Sequence, residues 1–134
     1  MNPKIYIGID LINLLKVKKT LSRCGERFVN RIATPAELEY YCGGSERRFV
    51  EGVASLFAIK EAVKKICLQN GLNPNWKHIQ VFHHPSGKPW VDFSEKRLKQ
   101  KFENISLSLS HTAEMVVADA VGVGRNFENT EVEQ

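Results

Sequence analysis

The sequence lacks several features that mark secreted, disulfide-bonded and membrane proteins. It has three cysteines in 134 residues, and the wide spacing of Cys24, Cys42 and Cys67 suits neither a disulfide framework nor a zinc motif. No apolar run is long enough to span a bilayer, and the N-terminus lacks the charged-then-apolar layout of a signal peptide. We therefore expect a cytoplasmic protein with reduced thiols and no membrane partner.

The chain also lacks internal repeats and low-complexity segments. Its length and its content of 43% hydrophobic and 25% charged residues are those of one soluble globular domain. Residues 1–124 are predicted to form this domain. Residues 125–134 have no apolar pattern, and we expect them to be a frayed C-terminal tail.

Acidic residues are scarce in one part of the N-terminal third. Within residues 16–31, Glu26 is the one acidic residue, and it stands against Lys16, Lys18, Lys19, Arg23, Arg27 and Arg31. Such a segment favours an acidic partner, which could be a protein, a polyphosphate ligand or nucleic acid. The segment has a single aromatic residue, Phe28, and the chain has no nucleic-acid motif, so a nucleic-acid-binding module is disfavoured.

Alternation predicts a first strand over residues 5–11. We expect its apolar residues Ile5, Ile7, Ile9 and Leu11 to face the core and Tyr6, Gly8 and Asp10 to point the other way. Gly8 leaves room above the sheet for another group to approach closely.

The remaining pattern predicts helices over 13–23 and 28–32, and a short helix that begins at a Thr34–Glu37 capping box and ends at 42–44. A long helix over 46–70 follows, capped by Ser45 and stopped by Gly71. A hairpin of strands 78–84 and 90–93, a polar helix over 95–102, and strands 105–111 and 115–123 complete the prediction.

A charged segment of the long helix holds candidate functional residues. Glu61 lies among Lys60, Lys64 and Lys65, and it borders the apolar stripe of the helix. A partly buried carboxylate there could hold a metal ion, and the lysines could hold a phosphorylated ligand. Taken alone, the segment favours the alternative of a solvated face with a surface ion pair between Glu61 and Lys65.

Three further groups could serve the same chemistry: Asp10 at a strand end, Gly87-Lys88-Pro89 at the hairpin, and Ser110-His111 at another strand end. Two carboxylates without a Cys or His cluster suit magnesium, and lysines with a histidine suit phosphate oxygens. The combination is typical of phosphoryl transfer. Spacing alone leaves open that Lys88 is a turn lysine and His111 a structural residue.

The order of these motifs resembles the holo-[acyl-carrier-protein] synthase family, the small 4'-phosphopantetheinyl transferases. The resemblance runs from residue 5 to about residue 122 and rests on Gly8-Ile-Asp10, the Arg27-to-Leu38 segment, the Phe57-to-Lys65 segment, Trp76 with Ile79, Gly87-Lys88-Pro89 and Ser108-to-Thr112. It implies an α+β fold in which a mostly antiparallel sheet packs against one long helix.

The resemblance also implies a reaction. The family transfers the phosphopantetheine arm of coenzyme A to a serine of an apo acyl carrier protein, with magnesium, and releases adenosine 3',5'-bisphosphate. Asp10 and Glu61 match its metal-binding carboxylates, and Lys65 matches a lysine near the reacting groups. Positions implied to line coenzyme A are Lys60, Lys64, Gly87, Lys88, Pro89, Ser110 and His111.

The family's basic first helix docks on the acidic carrier protein. Lys16, Arg23, Arg27 and Arg31 are the residues that the resemblance assigns to this docking. It further implies a homotrimer in which coenzyme A lies between neighbouring subunits.

The sequence departs from the family pattern at three places. Asn13 stands where a Glu is usual, Ser55-Leu56 replace a Gly-Arg pair, and Lys16 replaces a common Arg. These departures leave open the alternative of a catalytically weakened relative that binds carrier protein or coenzyme A.

Overall fold

The computed structural model describes residues 3–41 and 44–125. Its elements, in chain order, are β1 (Ile5–Asn13), α1 (Leu14–Ile32), α2 (Pro35–Glu39), α3 (Glu46–Gln69), a 3-10 turn (Trp76–His78), β2 (Ile79–His83), β3 (Pro89–Phe93), α4 (Lys96–Lys101), β4 (Phe102–His111) and β5 (Met115–Gly124).

Two antiparallel sheets carry the strands. The larger sheet has the order β1-β5-β4, and the smaller is the β2-β3 hairpin. Because β1 and β4 both run antiparallel to β5, their C-terminal ends lie at the same edge of the larger sheet. The α+β prediction, with mostly antiparallel strands against one long helix, is confirmed.

Helix α3 packs across the larger sheet and forms the centre of the core. The Ser45 hydroxyl caps its first turn by accepting from the Arg48 backbone N–H, and Gly71, with φ of +73°, follows its last turn. Its stripe of Ala58, Ala62 and Ile66 is fully buried, as the helical spacing predicts.

Gly8 lets β1 and α3 approach very closely. A Cβ atom at this position would lie 2.0 Å from the carbonyl oxygen of Ala62, so only glycine fits without a shift. The group for which Gly8 leaves room is therefore the backbone of α3.

The predicted orientation of β1 is wrong. The four residues predicted to face the core are between 53% and 64% exposed, and they are Ile5, Ile7, Ile9 and Leu11. The face that carries Gly8 and Asp10 packs on α3, because the missing side chain at Gly8 admits the helix. The bulky aliphatic face lies on the outside of the sheet.

Two helical pieces were predicted in the region of α1, and the non-helical φ and ψ of Cys24 divide this helix in two, although the second piece begins earlier than residue 28. The Thr34–Glu37 capping box is present. Strands β1 and β4 are longer than predicted, and β1 extends to Asn13. Helix α2 ends at Glu39, before the predicted end at 42–44. Arg125, expected in a frayed tail, donates to the carbonyl oxygens of Gln100 and Phe102. Residues 42–43 and 126–134 lie outside the described residues.

Within residues 3–41 and 44–125, no helix is both long enough and apolar enough to cross a membrane.

Candidate active site

Three predicted site residues meet where the end of β1 packs on α3. The Lys65 ammonium donates to the Ile9 carbonyl oxygen at 2.7 Å and to Asp10 Oδ1 at 3.3 Å. Glu61 lies one turn before Lys65 on the same face of α3, close enough to Asp10 for the two charges to interact. The structure therefore brings Asp10, Glu61 and Lys65 together from sequence positions more than 50 residues apart.

The electrostatics of this cluster are those of two adjacent carboxylates. Burial raises the pKa of the Glu61 carboxyl, and the nearby Asp10 charge raises it further, while Lys64 and Lys65 oppose both effects. Asp10 Oδ2 is buried and has no hydrogen-bond partner. A buried carboxylate oxygen without a partner is costly, and a cation is the group that would satisfy it.

The donor set fits a hard divalent cation. The described part of the chain has no cluster of three or more His, Cys, Asp or Glu side chains placed to hold a metal. Magnesium, however, is commonly held by one or two carboxylates together with substrate phosphates and water. Asp10 and Glu61 have the chemistry of such a pair of oxygen ligands.

Lys60 has a structural contact instead of the predicted contact with coenzyme A. Its side chain is fully buried, and its Nζ lies 2.7 Å from Glu37 Oε1 and donates to the Ile32 carbonyl oxygen as well. Glu37 was predicted to be a capping residue, but its ion pair with Lys60 was not predicted.

The neighbouring lysines remain accessible. The Lys64 ammonium lies 4.2 Å from the centre of the Trp76 ring, a cation–π contact for which the sequence has no local signal. The Lys65 side chain is 48% exposed, so one side of its ammonium can face a ligand.

The other residues predicted to bind coenzyme A lie at the tip of the β2-β3 hairpin and at the end of β4. Gly87, with φ of +92°, and the exposed Lys88 form the tip of the β2-β3 hairpin with Pro89. Ser110 and His111 are exposed at the end of β4. Among the described residues, no hydrogen bond or ion pair joins either group to the Asp10–Glu61–Lys65 cluster.

The predicted docking residues form an exposed basic surface along α1. Its inner side is buried through Leu14, Val17, Val29 and Ile32. Lys16, Arg23, Arg27 and Arg31 are all exposed, two on each side of the kink at Cys24.

Two of the three departures from the family pattern have structural explanations, and the replacement of Arg by Lys16 has none. The Asn13 side-chain oxygen accepts from the Lys16 backbone N–H and caps α1, a role that Asn performs better than Glu. Leu56 is fully buried and Ser55 is nearly so, which makes both part of the core of this chain.

Fold and site together define a protein in which a long helix places two carboxylates and a lysine against the end of a strand. The model of the 4'-phosphopantetheinyl transferase superfamily matches residues 6–119, and the chain belongs to this superfamily.

Within it, the chain is similar to proteins named holo-[acyl-carrier-protein] synthase. The protein of that name from Chloroherpeton thalassium is 36% identical over 116 residues, which cover 85% of this chain and 93% of the relative. The structure of the Bacillus anthracis holo-(acyl-carrier-protein) synthase in complex with CoA (3',5'-ADP) has a TM-score of 0.76 and 30% identity, and the match covers 92% of this chain and all of that one. The holo-ACP-synthase of Plasmodium yoelii has a TM-score of 0.78 and 25% identity, with 94% and 100% of the two chains covered.

Proposed function

We propose that this protein transfers the 4'-phosphopantetheine arm of coenzyme A to a serine of an apo acyl carrier protein. The serine oxygen forms a new bond to the phosphorus atom nearer the pantetheine. The bond from this phosphorus to the bridging oxygen breaks, adenosine 3',5'-bisphosphate leaves, and the serine proton is released. The observation that carries the proposal is the Asp10–Glu61–Lys65 cluster in a chain of this superfamily.

In this proposal Asp10 and Glu61 hold magnesium, which when bound would neutralise charge that develops on the phosphates and the leaving group. The unpartnered oxygen of Asp10 supports this role. Lys65 contributes a fixed positive charge beside the carboxylates, and its exposed side can attract a phosphate oxygen. Lys64, Gly87, Lys88, Pro89, Ser110 and His111 remain the proposed residues for the rest of coenzyme A.

The basic surface of α1 is the proposed docking surface for an acidic carrier protein. Lys16, Arg23, Arg27 and Arg31 are exposed there, and exposed charges of one sign steer an oppositely charged partner into encounter. The end of this surface that carries Lys16 lies near the end of β1, because α1 follows β1 directly. The expected cytoplasmic location stays a prediction.

A homotrimer is the assembly that the family resemblance implies, and the exposed outer face of the larger sheet supports an interface between copies. The outer face of β1 exposes a contiguous row of aliphatic side chains, which are Ile5, Ile7, Ile9 and Leu11. Their partners on the neighbouring strand β5 are, in the same order, Val123, Val121, Asp119 and Val117. Contiguous exposed apolar surface of this kind marks an interface. Burial of this face between copies would also let the hairpin or the end of β4 from a neighbouring subunit complete a coenzyme A site.

The Glu61→Gln variant tests the function. The substitution removes the charge with little change in shape, so we expect transfer to be abolished while circular dichroism shows an unchanged fold. Release of adenosine 3',5'-bisphosphate from coenzyme A, measured by liquid chromatography with apo carrier protein and magnesium, gives the rate. Glu103→Gln, at an exposed position of β4, is the matched control. Near-normal turnover of Glu61→Gln would show that the metal site is misassigned.

A further inference from the structure

One buried ion pair connects four elements beside the proposed active site. Glu37 Oε1 accepts from Lys60 Nζ at 2.7 Å and from the Thr34 backbone N–H at 2.8 Å, while Oε2 accepts from the Val81 backbone N–H at 2.8 Å. Lys60 also donates to the carbonyl oxygen of Ile32, the last residue of α1. The pair thus ties the end of α1, the start of α2 and strand β2 to α3.

This ion pair tolerates little movement of α3. A buried ammonium or carboxylate without a partner is strongly unfavourable, and removal of one partner of a buried pair is far more damaging than loss of a surface pair. Rotation of α3, or its translation along its axis, would separate Lys60 from Glu37 and from Ile32. The network therefore favours one rotation and one axial position of the helix.

Glu61 follows Lys60 directly, so its side chain points about 100° away around the helix, toward β1. On that side the position of α3 is set by the close approach of Gly8 to the Ala62 carbonyl. The Glu61 carboxylate lies between these two fixed points, one at residue 60 and one at residue 62.

We propose that Lys60 and Glu37 are positioning residues that hold α3 in the rotation and axial position at which the Glu61 carboxylate lies beside Asp10. This inference rests on the proposed function. Its consequence is that loss of the pair lowers the rate of the chemical step and weakens metal binding, although neither residue touches the substrate.

The test compares Lys60→Met and Glu37→Gln with Val53→Ala. Met has a similar length to Lys but no charge, and Gln retains the shape of Glu37. Val53→Ala opens a small cavity in the core of the same helix, about two turns before the ion pair, and leaves the pair intact. Each folded variant is measured for kcat, for the KM of coenzyme A, and for manganese binding by electron paramagnetic resonance with coenzyme A present.

We expect Lys60→Met to lower kcat on the order of 10²-fold, since a displacement of about 1 Å can cost this much. Glu37→Gln should lower kcat less, both variants should bind manganese more weakly, and the KM for coenzyme A should change little. Val53→Ala should lower the melting temperature and keep the kcat of the unmodified chain. If Lys60→Met does not fold at the assay temperature, Glu37→Gln decides by the same criteria.

Two results would overturn the proposal. The first is that the folded Lys60→Met and Glu37→Gln variants keep the kcat and the manganese affinity of the unmodified chain. The second is that Val53→Ala loses as much kcat and manganese affinity as the ion-pair variants, because the losses would then reflect general destabilisation. If the unmodified chain transfers no phosphopantetheine, the proposed function fails, and manganese binding by the same variants still tests the positioning role.

Discussion

Substitution of Gly8 by Ala tests how closely strand β1 and helix α3 must pack for the site to work. The added Cβ would lie 2.0 Å from the Ala62 carbonyl oxygen, whereas real Cβ atoms do not approach other atoms closer than 3.0 Å. Helix and strand must therefore separate by at least about 1 Å. Overpacking of this kind costs roughly 1–3 kcal/mol, which for a domain of this size lowers the melting temperature by about 3–12 °C.

The same displacement moves Glu61, which directly precedes Ala62 on α3. A misplacement of about 1 Å at a reacting group can reduce the rate about 10²-fold. We expect Gly8→Ala to show both effects, measured by thermal unfolding and by the transfer assay below the melting temperature.

Gly25→Ala, on α1, is the control because no atom lies within 4 Å of its added Cβ. It should keep or slightly raise the melting temperature. If Gly8→Ala unfolds and transfers like the unmodified chain, the close approach of β1 to α3 is not what positions Glu61.

Three further predictions concern docking, assembly and thiol chemistry. Arg27→Glu should raise the KM for carrier protein far more than the KM for coenzyme A, because it reverses a charge on the exposed face of α1; an equal rise in both would contradict the docking assignment. Light scattering should give about three times the 15.2 kDa chain mass, and Ile7→Asp should give monomers that do not transfer; a monomeric unmodified chain would refute the trimer. Burial raises the pKa of the Cys67 thiol to about 12, so at pH 8 iodoacetamide should modify exposed Cys24 and leave Cys67 unmodified in peptide mass spectra; comparable modification of both would show that Cys67 is not buried.

Local sequence signals were sufficient for the elements with strong capping and periodicity. The predicted start and end of α3 are confirmed, with Ser45 as its N-cap and Gly71 after its last turn. The predicted start of α2 is confirmed by the Thr34–Glu37 capping box. These signals are local because side-chain capping depends on residues only a few positions apart. The partial burial of Glu61 follows from its place beside the apolar stripe.

The orientation of β1 could not be read in the same way. Alternation identifies two faces but not which face meets the core, and here the face that carries Gly8 packs on α3 because Gly8 admits the helix backbone. The larger aliphatic residues are left outside, where only assembly could bury them.

The buried ion pair of Lys60 could not be predicted from local sequence signals either. Its spacing from Val53, Leu56, Val63 and Cys67 places it on the buried face of α3, so the helical period alone favours burial. Its charge suggested a ligand contact instead, and the partner that makes burial possible, Glu37, lies 23 residues away in another element. Tertiary pairing of this kind has no local signal.

Mass spectrometry of an apo acyl carrier protein incubated with this chain, coenzyme A and magnesium tests the transfer reaction directly. We expect the addition of one phosphopantetheine to the carrier serine, and no addition when a chelator removes the metal, since Asp10 and Glu61 are proposed to hold magnesium. No addition to any of several carrier proteins, with coenzyme A binding demonstrated separately, would contradict the proposed transfer and favour a catalytically weakened relative.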